Sequence, residues 1–357
     1  MNHLQKIAAL LPEYGLDALA VTSEPGEFYA VGFHGEGLAL VTSAGSYYST
    51  DSRYIEAAQN QITGCEIHMI QGAGDSHAKW AGEKCAALGL RKVGVEEDYL
   101  SLADFEKLQA AFPAGTEFVH ASALLSRLRA SKDECELAVM EKAQEITDQA
   151  FSEILAYIKP GVTESEIAAR LTYLMQSKGA SRNSFDPIVA SGPNGSMPHA
   201  IPGLKQIQEG EFVTMDFGCV YGGYCSDMTR TVAVGQPTEE MRRVYDTVLQ
   251  AQLTGIALAK PGVTGAAVHN GAVAVLDNAG YAGKMGHGFG HSLGIEIHEN
   301  PGFRPANSDP MPLGAVVSAE PGIYLPGQFG VRIEDVVVLT EDGCRVLTRS
   351  PKELIVL

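Results

Sequence analysis

Four carboxylates fall in two matched stretches of strand-like sequence. Asp216 lies in FVTMDFG and Asp227 in YCSDMTR; Glu320 lies in VVSAEPG and Glu334 in VRIEDVV. A hairpin turning at Tyr221-Gly222 would set Asp216 directly opposite Asp227, on one face, with Cβ atoms about 4.5–5.5 Å apart. A turn at Gly222-Gly223 would set them diagonally, still as neighbours. The second pair turns at Pro326-Gly327. Carboxylates gathered in a core repel one another, and their pKa values rise unless cations compensate. Two divalent metal ions cancel four negative charges, and such ions sit about 3.5–4 Å apart in two-metal sites. A histidine is the expected fifth ligand. His287-Gly-Phe-Gly-His291 and the following Ile-Glu-Ile-His298 offer three. His287 and His291 have the spacing of a helical HExxH zinc pair. The glycines at 286, 288, 290 and 294 disfavour a helix there. They instead let backbone approach a crowded centre closely.

These side chains need a scaffold, and an internal repeat supplies one. KPGVT occurs at Lys159–Thr163 and again at Lys260–Thr264. Each copy follows a long amphipathic helix and precedes a second helix, ending near Gly179 and near Gly280. Each half then reaches a strand pair: 212–218 with 226–234, and 315–324 with 332–340. By this repeat Glu320 matches Asp216 and Glu334 matches Asp227. The first long helix opens on a capping box of Ser131 with Glu134. It buries Ala143, Ile146, Ala150, Phe151, Ile154, Leu155 and Ile158 at helical spacing. Its counterpart is capped by Thr238. The order predicts a pseudo-symmetric α+β domain, with sheet strands from both halves and helices outside.

Ahead of it, short β-like runs (17–22, 37–42, 46–50, 92–95) alternate with helical stretches (1–11, 51–59, 75–88), which reads as an α/β domain. The predicted domains are 1–130 and 131–357. A length of 357 residues suits two domains. The net charge of −17 argues against nucleic acid and anionic membrane surfaces. No window offers the ~18 consecutive apolar residues of a membrane span, and residues 1–11 do not read as a signal peptide. The six cysteines are scattered without a CxxC. They read as reduced thiols of a cytoplasmic protein, not as a zinc site.

Taken together, Asp216, Asp227, His291, Glu320 and Glu334 resemble the ligand set of the dinuclear "pita-bread" metallopeptidases. The motifs NGSMPHA (194–200), MDFGCVYGGYCSDMTRT, HGFGHSLGIEIHE, AEPGIY and VRIED are similar to the aminopeptidase P and prolidase branch, and TDSRY (50–54) extends the likeness to its N-terminal domain. The resemblance implies that Asp216 binds one metal, His291 and Glu320 the other, and that Asp227 and Glu334 bridge. It implies a hydroxide between the metals as nucleophile, with Glu320 handling its proton. His199, His287 and His298 match accessory histidines that polarise the scissile carbonyl, hold the substrate near the prolyl ring and stabilise the tetrahedral intermediate. Arg332, two residues from Glu334, would pair with a ligand carboxylate, and Tyr324 would stand behind it. The ions expected are Mn²⁺, with Co²⁺, Fe²⁺ or Zn²⁺ as alternatives. The implied activity is that of aminopeptidase P, cleaving peptides with proline second; prolidase, with the same metal centre and Xaa-Pro dipeptides as substrates, is the alternative. A homodimer is implied too, with Trp80 a candidate interface residue. Two remoter readings are a serine hydrolase, from the GxSxG match at 290–294, and a metal-free pita-bread binding protein.

Overall fold

The structure is a computed structural model that describes residues 2–72 and 74–357. The chain divides into two compact units, Met1–Arg129 and Ala130–Leu357.

The first unit is built on a six-stranded mixed sheet. Its spatial order is Glu66–Met69, Ser46–Thr50, Leu38–Thr42, Ala18–Val21, Lys92–Val95, Glu117–His120. The two central strands Leu38–Thr42 and Ala18–Val21 are buried at every residue, so they read as apolar runs without alternation. Local capping trims the expected helices. Asn2 caps His3–Leu10, and Met1 lies outside the described residues. Ser76 accepts from Lys79 N, so the fourth helix starts at His77, not Asp75. The Asp51 side chain accepts from Arg53 N, which keeps 51–54 in a turn and delays the next helix to Ile55. Trp80 is buried within this unit and stacks on His68.

The second unit is α+β and shows the doubling of the sequence. KPGVT proves to be a turn-and-cap device. Gly161 and Gly262 take φ of 90° and 82°, the left-handed region that glycine enters freely. Thr163 and Thr264 then cap the helices Glu164–Ser177 and Gly265–Asn278, accepting from Glu166 N and Ala267 N. Each copy is also tied to a later loop, Gly161 N donating to Ile207 O and Gly262 N to Met311 O. The helix Glu134–Ile154 does carry a capping box, but Asp133 and Glu136 form it in place of Ser131 and Glu134. Ser131 Oγ instead donates to Leu313 O, two residues too early to reach the helix start.

The first half contributes an antiparallel sheet in the order Met228–Val234, Glu211–Phe217, Ile188–Ser191. The second contributes Glu299–Phe303, Gly290–Ser292, Val316–Ala319, Asp335–Thr340, Gly343–Val346. The two sheets meet where Glu334 N donates to Thr229 O. The strand expected at 315–324 breaks at Glu320-Pro321, because Pro321 has no N–H for the ladder. Its continuation, Gly322–Leu325, pairs with Phe329–Arg332 as a separate ribbon. One apolar cluster underlies each half: Phe151, Leu171, Met215 and Met228 in the first, Tyr245, Val268, Phe289 and Val337 in the second. Among the described residues no helix is long and apolar enough to cross a membrane.

Replacing either capping threonine, Thr163→Ala or Thr264→Ala, should lower unfolding free energy by about 1 kcal/mol. Equilibrium denaturation of the full chain checks this; the loss should be the larger at Thr163, whose hydroxyl also donates to Glu166 Oε2 in a capping box that Thr264 lacks.

Candidate metal centre

The hairpin between Asp216 and Asp227 turns at Gly222-Gly223. Both glycines have positive φ, 54° and 83°, and Tyr221 pairs with Tyr224. This register sets Asp216 opposite Thr229 and leaves Asp227 diagonal to it, just before the Met228–Val234 strand. In the second half Ala319 pairs with Asp335, so Glu320 and Glu334 face each other one step beyond the ladder. His291 stands on Gly290–Ser292, the strand beside Val316–Ala319. A Cβ on Gly290 would lie 1.9 Å from Ser318 O, so the glycine before His291 is what permits this approach.

Asp216, Asp227, His291, Glu320, Glu334, His199, His287, His298 and Arg332 all line one cavity of about 560 Å³. Ligating atoms of Asp227, His291 and Glu334 lie within 4.8 Å of one another. His291 Nε2 is 3.5 Å from Asp227 Oδ2 and 3.4 Å from Glu320 Oε1.

Several observations test whether these residues suit metal ions. Asp216 Oδ1, Asp227 Oδ1 and Glu334 Oε1 are buried and have no hydrogen-bond partner. Burial, then the charges of Glu334, Asp216 and Glu320, push the Asp227 carboxyl well above the usual range. Burial, then Glu320 and Asp216, does the same to Glu334. Glu320 is raised chiefly by burial, partly offset by His287 and Arg332. His291 Nδ1 lies 3.2 Å from Ser292 O, so the ring must donate there and its Nε2 lone pair faces the carboxylates. A lone pair aimed at two carboxylates is repulsive, and a cation between them turns it into a ligand. The donor set of four carboxylates and one neutral imidazole therefore fits two divalent ions.

Supporting contacts set each donor. Thr229 Oγ1 donates to Glu334 Oε2 at 2.7 Å, and Ser318 Oγ to Glu320 Oε1 at 3.1 Å. Arg332 has every nitrogen engaged. It donates to Asp216 Oδ2 (2.6 Å), Thr229 Oγ1 (3.1 Å), Tyr324 Oη (2.9 Å) and Pro198 O (3.2 Å). The last bond fixes the backbone next to His199. Tyr324 Oη is 2.9 Å from His287 Nε2, and His287 Nδ1 is 2.8 Å from Gly288 O. Nδ1 must donate to that carbonyl, so Nε2 accepts from Tyr324. Both polar atoms of His287 are thus spent on protein, which leaves only its ring for a substrate. Burial holds this neutral form, lowering the His287 pKa. His298 packs edge-on against His291 with ring centroids 4.4 Å apart. Burial, then His291 and Arg304, lowers it to about 4. The loop carrying His298 is held by a buried ion pair, Lys132 Nζ to Glu299 Oε2 at 2.9 Å, while Glu299 Oε1 accepts from Ile295 N and Glu296 N. Arg230, buried, binds the backbone carbonyls of Thr229, Glu334, Ser350 and Pro351 and pairs with Asp335. Ser292 is buried and donates to Pro301 O, so the GxSxG match presents no free nucleophile.

Two charged cavity residues were not singled out by the sequence, Asp186 and Arg304. Neither falls in a repeat or a periodic pattern; the only local signal is an isolated charge beside proline or glycine.

Residues 138–341 match metallopeptidase family M24, and residues 3–131 match the creatinase/prolidase N-terminal domain. The chain belongs to family M24. Solved structures superpose along nearly the whole chain. An Xaa-Pro dipeptidase from Bacillus anthracis is 38% identical, with 99% of each chain covered and a TM-score of 0.95. An X-Pro aminopeptidase from Thermotoga maritima is 35% identical, covering 96% of this chain and 98% of its own, with a TM-score of 0.91. A prolidase from Pyrococcus horikoshii is 32% identical, with 99% of each covered and a TM-score of 0.90. The M24 peptidases depend on a dinuclear metal centre, and the cavity described above is where this chain gathers the donors for one.

Removing one charge from the row should have opposite effects with and without metal. Asp227→Asn should bind fewer than two ions per chain by elemental analysis. After chelation it should melt above the chelated wild type, because the crowded carboxylates are then uncompensated.

Proposed function

We propose that this chain is an Xaa-Pro dipeptidase, a prolidase, in place of the aminopeptidase P expected from the sequence. The observation that carries the reading is Arg304. It follows the edge strand Glu299–Phe303 and lines the cavity, and its guanidinium has no hydrogen-bond or ion-pair partner among the described residues. A free cation on the cavity wall suits the carboxylate of a dipeptide, whereas a longer peptide carries no charge at that place. Two of the three compared structures, those from B. anthracis and P. horikoshii, bear dipeptidase or prolidase names, which supports the same choice. Aminopeptidase P remains the second reading, favoured by the likeness to the T. maritima enzyme.

Asp216, Asp227, His291, Glu320 and Glu334 would hold the two ions, Mn²⁺ being best suited to mostly carboxylate donors. Bound there, divalent ions supply Lewis acidity and lower the pKa of water towards neutrality. The chain's own groups do the rest. Arg304 grips the carboxylate and so fixes where the prolyl ring lies. His298 and His199 stand on the cavity wall as donors to the scissile carbonyl. Glu320 carries the proton from the attacking water to the prolyl nitrogen, which leaves as a secondary amine and must be protonated. Arg332 donates to Asp216 Oδ2 and holds the His199 segment through Pro198 O.

Cleavage of Ala-Pro but not Ala-Pro-Ala, with Mn²⁺ added, is the expected pattern; the reverse restores aminopeptidase P. Arg304→Met should raise KM for Ala-Pro by about tenfold or more, as expected for losing a charged hydrogen bond. His298→Ala should lower kcat about 10²-fold while the protein keeps its metal; an unchanged kcat would remove His298 from the mechanism.

A further inference from the structure

Asp186 and Arg304 both line the cavity, each beside the edge strand of a different sheet. Asp186 lies two residues before Ile188–Ser191, the edge strand of the first sheet. Arg304 lies directly after Glu299–Phe303, the edge strand of the second. Asp216 and His291 stand on the strands next to those edges, Glu211–Phe217 and Gly290–Ser292. The Asp186 side chain, like that of Arg304, has no hydrogen-bond or ion-pair partner among the described residues. The proposed reaction accounts for Arg304. Nothing in it accounts for Asp186.

A fifth acidic side chain on the wall of a site that already gathers four adds repulsion, unless a cation comes to it. The substrate brings an α-ammonium, and some substrates also bring a charged side chain. The α-nitrogen is one atom away from the scissile carbonyl carbon, so it stays at the carboxylate row. Asp186 is further out. Ile188 registers beside Asp216, and Pro187 biases Asp186 towards extended backbone. Two residues of extended chain separate Asp186 from Ile188 by up to about 7 Å. A lysine or arginine side chain spans such a gap; an α-amine does not. Phe185 and Ile188, within two residues of Asp186 in the chain, also line the cavity and offer apolar surface of the kind along which long cationic side chains lay their stems.

We propose that Asp186 is a specificity residue that favours lysine or arginine immediately before proline. The inference rests on the dipeptidase reading for the direction in which the substrate lies, with its carboxylate at Arg304 and its first residue at Asp186.

The test is steady-state kinetics of the metal-loaded wild type and of Asp186→Asn on Lys-Pro, Arg-Pro and Met-Pro, and on Lys-Pro-Ala and Met-Pro-Ala. Wild type should favour Lys-Pro over Met-Pro about fivefold in kcat/KM, the upper range for a solvent-accessible ion pair. Asp186→Asn should bring that ratio to about one, and Asp186→Lys should shift preference towards Glu-Pro. A wild-type ratio near one overturns the proposal, and so does a ratio that survives in Asp186→Asn. Substrate length reports on the dipeptidase reading, while side-chain charge is compared within whichever length is cleaved. The two can therefore fail separately.

Discussion

Crowding of like charge is the constraint to which the catalytic unit answers. Asp216, Asp227, Glu320 and Glu334 share one cavity, and three of them leave a buried oxygen without a hydrogen bond. In the protein alone this arrangement is unfavourable: burial and mutual repulsion drive Asp227 and Glu334 towards the protonated state. One guanidinium, Arg332, offsets part of it through Asp216. The packing, capping and register on either side hold those oxygens together against their repulsion, so that divalent ions meet a preformed set of donors. Stability is given up at the centre and recovered in the apolar clusters beneath each half.

The doubled architecture supplies two carboxylates from each half, but the halves are not alike in detail. In the first, paired glycines at 222 and 223 shift the hairpin so that its aspartates lie diagonally. In the second, Pro321 ends the ladder and the glutamates face one another beyond it. The histidine beside the carboxylates comes from the second half, on a strand brought close by Gly290. The duplication thus explains the charge count, and its local departures give a centre with two different ends.

Much of this could be read from residue types. The four carboxylates stand out because acidic residues in apolar strand sequence need a reason, and KPGVT declares both the turn and the cap. The glycines around His287 and His291 rightly argued against a helix. The register was not legible, because Tyr221-Gly222 and Gly222-Gly223 are both acceptable turns until the backbone chooses. The cap at Asp133 was misplaced by two residues because Ser131 and Asp133 each precede an acidic residue by three, and only the tie of Ser131 to Leu313 O decides between them. Asp186 and Arg304 were invisible for a different reason. Their meaning depends on two edge strands from separate sheets flanking one cavity, and no local pattern carries that.

The bonded series from Arg332 through Tyr324 to His287 has a consequence for where protons can travel. Every hydrogen in it has an assigned direction: guanidinium to phenol oxygen, phenol hydrogen to Nε2, and Nδ1 hydrogen to the Gly288 carbonyl. A hopping proton needs a wire whose far end can accept or release one. This wire begins at a group that does not deprotonate and ends at an amide oxygen. It is therefore a dead end, insulating one wall of the cavity.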